Sequence, residues 1–226
     1  MSGLPPDSEL PESLVPLALQ ADAPIRLEPY SAEWPAMFEV ERRLLAGVLA
    51  PWLVGPIEHV GSTAVPGLAA KPVIDIMAPV ESLDVSRPAL IALEPLQYCY
   101  APYREEVMHW LCKPGPAART HHLHLVPFGS ELWRDRISFR DLLRINPDIA
   151  AEYLRLKRRL AAEYPNDRER YTREKTPFIE KVLRGFASVA KPGAHIHWDV
   201  YVTQDGKTGE MLRTGDGSMA VRSFHR

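Results

Sequence analysis

The sequence predicts an α+β domain in which a mixed β-sheet is flanked by helices and followed by more helices. Three observations carry that reading. Short strand-like runs at 57–60, 73–77 and 121–127, the second apolar and rich in β-branched residues and the third alternating, are spaced by helical stretches. From Ser130 onward apolar residues recur at three- and four-residue steps, broken at Pro147 and Pro165. A chain of 226 residues, 46% of them hydrophobic, is long enough to bury one good-sized core.

In chain order, residues 24–27 are predicted as a short first strand. Ser31 caps a helix over 32–49, whose apolar side carries Phe38, Leu44, Leu45 and Val48, and Pro51 ends it. A strand over 57–60 runs into a Gly-Ser turn, and the strand over 73–77 pairs near it. A helix over 86–93 leads to strands over 97–101, 107–113 and 121–127. Helices then follow over 131–145, 148–163 and 167–186. The domain so defined spans 24–187, between a loose leader (1–23) and an extension (188–226). In that extension His195-Ile196-His197-Trp198-Asp199-Val200-Tyr201-Val202 alternates strictly and Asp205-Gly206 offers a tight turn, which predicts a terminal β-hairpin. His195, His197 and Asp199 would share its polar face, which a solvent-facing hairpin explains with less than a metal site does.

The formal net charge of −2 supplies no global basic field, so long nucleic acid is not an expected partner. The run Arg155-Leu156-Lys157-Arg158-Arg159 reads as the solvated face of a helix. Residues 1–23 lack a basic start followed by an apolar core, and no apolar stretch reaches bilayer-spanning length, so neither a signal peptide nor membrane insertion is expected. Cys99 and Cys112 have neither metal-type nor redox-type spacing, which points to a reducing cytoplasm; a disulfide between them is the alternative.

The chemistry is concentrated in His59-Val60-Gly61-Ser62-Thr63-Ala64-Val65-Pro66-Gly67-Leu68-Ala69-Ala70-Lys71-Pro72-Val73-Ile74-Asp75-Ile76. Gly61 lets the backbone turn tightly enough for successive N–H groups to converge on an anion, and Ser62 and Thr63 add hydroxyl donors. Asp75 interrupts a buried-type strand. A carboxylate there needs a cation, a donor or water, which places it at a cleft; an ion pair with Lys71 or Arg119 is the plainer reading. His122 and His124 lie two apart on an alternating strand, so both imidazoles share one face, as metal ligands with Asp75 or as a hydrogen-bonded pair. His59, just before the turn, is a further candidate ligand. Tyr171 and Lys175, four apart, share a helix face; half-buried packing is the plainer reading of Tyr171.

A Gly-Ser turn followed by a carboxylate-bearing strand resembles the nucleotidyltransferase superfamily. The wording of the whole segment, with Arg119-Thr120-His121-His122-Leu123-His124-Leu125, Phe139-Arg140-Asp141-Leu142-Leu143-Arg144, Tyr171-Thr172-Arg173-Glu174-Lys175 and the opening Glu28-Pro29-Tyr30 with Trp34, is similar to the GrpB family over about 25–187. That resemblance implies a nucleotidyltransferase-like mixed sheet, with C-terminal helices covering the cleft. It also implies an NTP substrate bound by Gly61, Ser62, Thr63, Lys71, Arg119, Arg140, Tyr171 and Lys175, and a divalent ion (Mg, Mn or Zn) at Asp75. Asp75 or His122 would activate the acceptor hydroxyl. One departure matters: catalytic branches read Asp-x-Asp or Asp-x-Glu, and here the second position is Met77, a soft thioether that cannot replace a carboxylate on a hard cation. His59, His122 and His124 are the residues able to complete such a site, and a His/Asp mixture suits zinc, manganese or iron better than magnesium. The alternative is a catalytically silent nucleotide-binding or partner-stabilising module, because the resemblance extends to domains fused to dephospho-CoA kinase. No Gly-x-x-x-x-Gly-Lys-Ser/Thr loop occurs in this chain, so such a role would act in trans.

Overall fold

A computed structural model of the chain describes residues 24–189 and, beyond them, the strands His197–Val202, Thr208–Arg213 and Met219–Ser223. The chain divides into two units after Lys175, inside the stretch read from sequence as one helix over 167–186.

The first unit is built on five strands: β1 (Glu58–Val60), β2 (Ile74–Val80), β3 (Cys99–Ala101), β4 (His109–Lys113) and β5 (His121–Pro127), in the order β1-β2-β5-β4-β3. Only β2 and β5 run parallel, so the sheet is mixed and the fold is α+β, as the sequence predicts. The two parallel strands lie at the centre, and β2 accordingly reads as an apolar run broken only by Asp75, while β5 mixes histidines with leucines. Ile74, Ile76, Leu123, Leu125 and Leu111 pack on one face against Trp34, Leu45 and Leu49 of α1 (Trp34–Leu49). On the other face Val60, Met77, Met108 and Val126 meet Trp133 of α4 (Glu131–Ile145). The position where a second carboxylate would stand is therefore filled by a thioether packed in an apolar cluster.

Helix starts follow local chemistry. Ser130 accepts from the Trp133 amide to cap α4, and Pro147 opens α5 (Pro147–Glu163), where its missing N–H is harmless. Asp167 caps α6 (Arg168–Arg173) by accepting from Arg170 N.

Several boundaries differ from the sequence reading. Residues 24–27 are no strand: Glu28 makes an isolated bridge with Ala70. The helix over 86–93 is instead two single turns, α2 (Leu83–Ser86), capped by Ser82, and α3 (Ala89–Ala92), because Pro88 cannot donate to a continuous ladder. The helix over 167–186 is likewise α6 and α7 (Thr176–Val189), with Pro177 in the first turn of the second. Cys99 and Cys112 stand opposite each other across β3 and β4 as thiols, not as a disulfide.

In the second unit β6 (His197–Val202), β7 (Thr208–Arg213) and β8 (Met219–Ser223) form an antiparallel sheet in chain order. The expected hairpin thus gains a third strand, which went unread although Asp216-Gly217 offers a second Asp-Gly turn signal in the sequence. His195 lies outside the described residues. Among the described residues no helix is long and apolar enough to cross a membrane.

Candidate functional site

Strand register decides which residues can meet. Asp75 pairs with His122 and Met77 with His124 across the parallel β2–β5 ladder, while Val60 pairs with Asp75 across β1–β2. Paired residues share a face, so Asp75, His122 and His124 project together. Their ligand atoms all lie within 4.8 Å of one another. His122 Nδ1 is 2.8 Å from Asp75 Oδ1, and His124 Nε2 is 3.8 Å from the same oxygen.

Burial alone would raise the Asp75 pKa, but the hydrogen bond from His122, with His124 close by, outweighs it and holds the carboxyl well below the usual range. Burial pulls both histidines down, His124 to about 3. Asp75 holds His122 through Nδ1, and the buried Nε2 of the same ring has no hydrogen-bond partner among the described residues. The pair is an oriented imidazole of the kind that abstracts a proton.

The turn reaches this carboxylate through its backbone. Gly61 has φ of 71°, a value that favours glycine, and a Cβ added there would overlap the Asp75 carboxylate. Gly61→Ala is accordingly expected to lose about 1–3 kcal/mol from backbone strain alone and to displace Asp75 from His122. Urea unfolding measures the first effect, and the NMR shift of the His122 ring reports the second. Beyond the turn, the Ser62 side chain hydrogen-bonds the Tyr153 phenol of α5. Thr63 is buried, its hydroxyl donating to Val73 O at 3.3 Å and lying 3.0 Å from His59 Nε2, so it braces the loop where a phosphate-binding hydroxyl was expected.

His59 is placed differently from the sequence reading. It pairs with Ile76 and stacks on Phe38 of α1 with ring centroids 4.7 Å apart, on the face opposite Asp75. Period two is the reason, since the ring one residue before Val60 must point the other way. Burial is the main cause that pulls its pKa down to about 3. The unfolded chain, with an ordinary value near 6.5, takes up a proton on acidification that the folded chain refuses. Stability from this group is whole above pH 6.5 and falls as pH drops toward 3. We expect it to account for about 2 kcal/mol of loss between pH 6.5 and about pH 5, at about 1.4 kcal/mol per unit. His59→Leu should remove that share of the slope in urea unfolding at the two pH values.

Cationic side chains surround the cluster. Lys71 and Lys175 both approach the ring of buried Tyr171, at 5.5 and 4.4 Å from its centroid. Burial, assisted by Lys71, Lys157 and Arg136 and opposed by Asp75, pulls Lys175 down to about 7. Arg119 lies over Trp110 at 5.0 Å, and Trp110 is tilted against His122 at 5.1 Å. Tyr171 is also a core residue, packed with Ile25 and Leu160.

Arg140 is not available as a phosphate ligand. Its guanidinium forks onto Asp141 at 2.7 and 3.1 Å, and donates to Glu58 at 2.6 Å and to His59 O at 3.0 Å, which engages four of its five donors. Asp141 is itself fully buried. Two further residues escaped the sequence reading. Lys157, placed there on a solvated face, is buried, donates to Ala69 O beneath the loop and lies 5.1 Å from the Tyr153 ring. Its spacing with Tyr153 and Leu160 is that of one helix face, a signal outweighed by the run of charges around it. Arg136 Nη1 sits 3.3 Å from His124 Nε2, and its three-residue step from Trp133 was the available clue.

The model of the family described as GrpB protein matches residues 24–185, a span that contains every residue of this cluster. The chain belongs to the GrpB family. Among its relatives is the glutamate-rich protein GrpB of Alkalihalophilus pseudofirmus, 37% identical over 159 residues, covering 68% of this chain and 91% of that protein. A dephospho-CoA kinase of Mycolicibacterium paratuberculosis is 31% identical over 194 residues, covering 73% of this chain and 46% of the kinase. The crystal structure of GrpB from Enterococcus faecalis superposes with a TM-score of 0.65 at 33% identity, covering 73% of this chain and 98% of that one. Within this GrpB fold the first unit carries the whole candidate site.

Proposed function

We propose that this GrpB protein binds a nucleoside triphosphate together with a divalent ion and transfers its nucleotidyl group to an acceptor hydroxyl, the bond between the α- and β-phosphates breaking and pyrophosphate leaving. The observation that carries the reading is the convergence of the Asp75–His122–His124 cluster with the Gly61 turn, inside a ring of Lys71, Arg119, Arg136 and Lys175. Carboxylate and imidazole donors together fit a borderline ion such as zinc or manganese; with Met77 buried in apolar contacts they do not fit the all-oxygen shell of a magnesium pair. Asp75 and His124 would hold the ion, with His122 fixed beside them through its Nδ1, and when bound the ion would polarise a phosphoryl oxygen. Lys71, Arg119 and Lys175 offset charge that grows on the phosphates in the transition state. The Gly61 turn brings backbone donors beside them. Asp75 keeps the His122 proton on Nδ1, which leaves the opposite ring nitrogen as the base for the acceptor hydroxyl.

The test is a melting series with and without NTP and Mn2+ or Zn2+. NTP at about a hundredfold excess over its Kd should raise the Tm by about 5 °C or more, and only when the ion is present. An equal shift without any ion removes the metal-dependent reading.

The match within a dephospho-CoA kinase favours a second reading, a module that stabilises a partner enzyme in trans. That reading expects a complex with such a kinase that survives size exclusion and is indifferent to Asp75→Ala.

A further inference from the structure

We infer that Arg136 gates the Asp75–His122–His124 cluster, so that a divalent cation is taken up only in company with a phosphate-bearing anion. The inference rests on the metal-binding reading above and adds to it the order in which the site fills.

His124 has two ring nitrogens with different neighbours. Nδ1 lies 3.4 Å from Met108 Sδ, and Nε2 lies 3.3 Å from Arg136 Nη1. A guanidinium has donors and no acceptor, so Nε2 must receive the hydrogen bond through its lone pair, and the ring proton sits on Nδ1 toward the thioether. That lone pair is the one nearest Asp75, at 3.8 Å from Oδ1, and it is the one a metal ion would need. A lone pair engaged by Arg136 cannot also bind a cation, and a divalent charge beside the guanidinium would be repelled.

Arg136 is itself incompletely matched. Among the described residues no carboxylate lies within ion-pair distance of it, and its hydrogen bond to an imidazole leaves other donors of the planar fork unspent. Burial disfavours its charge while Asp75 supports it from further away. A phosphate group is the partner that such a fork prefers, because two oxygens accept in parallel and carry the opposite charge. Phosphate entering beside Lys71 and Lys175 therefore draws Arg136 from His124, exposes Nε2 and brings the negative charge that a cation requires. By linkage the cation strengthens phosphate binding by the same factor.

The experiment titrates Co2+ into metal-free protein, followed by its visible absorption, with and without methyl phosphate as a weakly chelating anion. Wild type should bind Co2+ at least about tenfold more tightly when methyl phosphate is present. Arg136→Met should bind Co2+ without the anion about as tightly as wild type does with it, and Arg136→Gln provides the same comparison should the methionine variant fail to fold. His124→Ala should lose the absorption in both conditions. Equal wild-type affinity with and without methyl phosphate overturns the inference, as does full anion dependence retained in both Arg136 variants or no Co2+ binding under any condition. Anion-coupled Co2+ uptake without any NTP effect would leave the gate standing and remove the nucleotide reading instead. An NTP shift that needs the ion, with no part played by Arg136, would do the reverse.

Discussion

Asp141→Ala should destabilise the protein by about 3–5 kcal/mol, the range for removing one partner of a buried ion pair. Asp141 is fully buried on α4 and receives both prongs of Arg140, with Arg144 Nη1 at 3.4 Å. The two arginines then reach outward: Arg140 ties down Glu58 and His59 O of β1, and Arg144 donates to Ala64 O at 3.0 Å. One carboxylate thus organises the clamp that joins α4 to the strand and loop on either side of Gly61. Without it Arg140 stays buried with Glu58 as its remaining carboxylate. Guanidinium unfolding of the variant, beside an Arg140→Met/Asp141→Leu double variant expected to recover part of the loss, measures the effect. A loss under about 1 kcal/mol would mean that the clamp is secondary to apolar packing.

The second large effect belongs to Asp75. Its removal takes from the cluster the oxygen that both imidazoles approach and the negative charge that supports Lys175 and Arg136. With Asp75→Ala the metal-dependent shift by NTP should vanish, and affinity for the metal–nucleotide pair should fall at least about a hundredfold. Asp75→Asn keeps the shape and an acceptor for His122 Nδ1 while losing the charge, and should fall nearly as far. Isothermal titration of both variants measures this. Affinity retained in Asp75→Asn would assign Asp75 a purely orienting role.

The fold class was legible in the sequence because its determinants are local. An apolar β-branched run marked β2, an alternating stretch marked β5, three- and four-residue steps marked α4 and α5, and prolines at 147 and 165 marked real breaks. The same locality misplaced the helices near Pro88 and Pro177, where a proline ends one turn and begins another without a change in composition. In the site, the two-residue step from His122 to His124 was enough to put both rings on one face. Whether His59 joined them depended on how β1 registers against β2, which no local pattern states.

By itself the sequence determined that a tight glycine turn, a lone strand carboxylate and a pair of alternating histidines belong to one mixed-sheet domain of the GrpB family. Only the tertiary structure decided which charged side chains serve the cleft. Arg140, which looked available, is absorbed by Asp141 and Glu58, while Arg136 and Lys157, which looked solvated or went unread, turn inward. The physical reason is that composition specifies charge, but a charge's role depends on whether a partner lies within hydrogen-bond reach. That proximity arises when strands and helices distant in the chain are packed together.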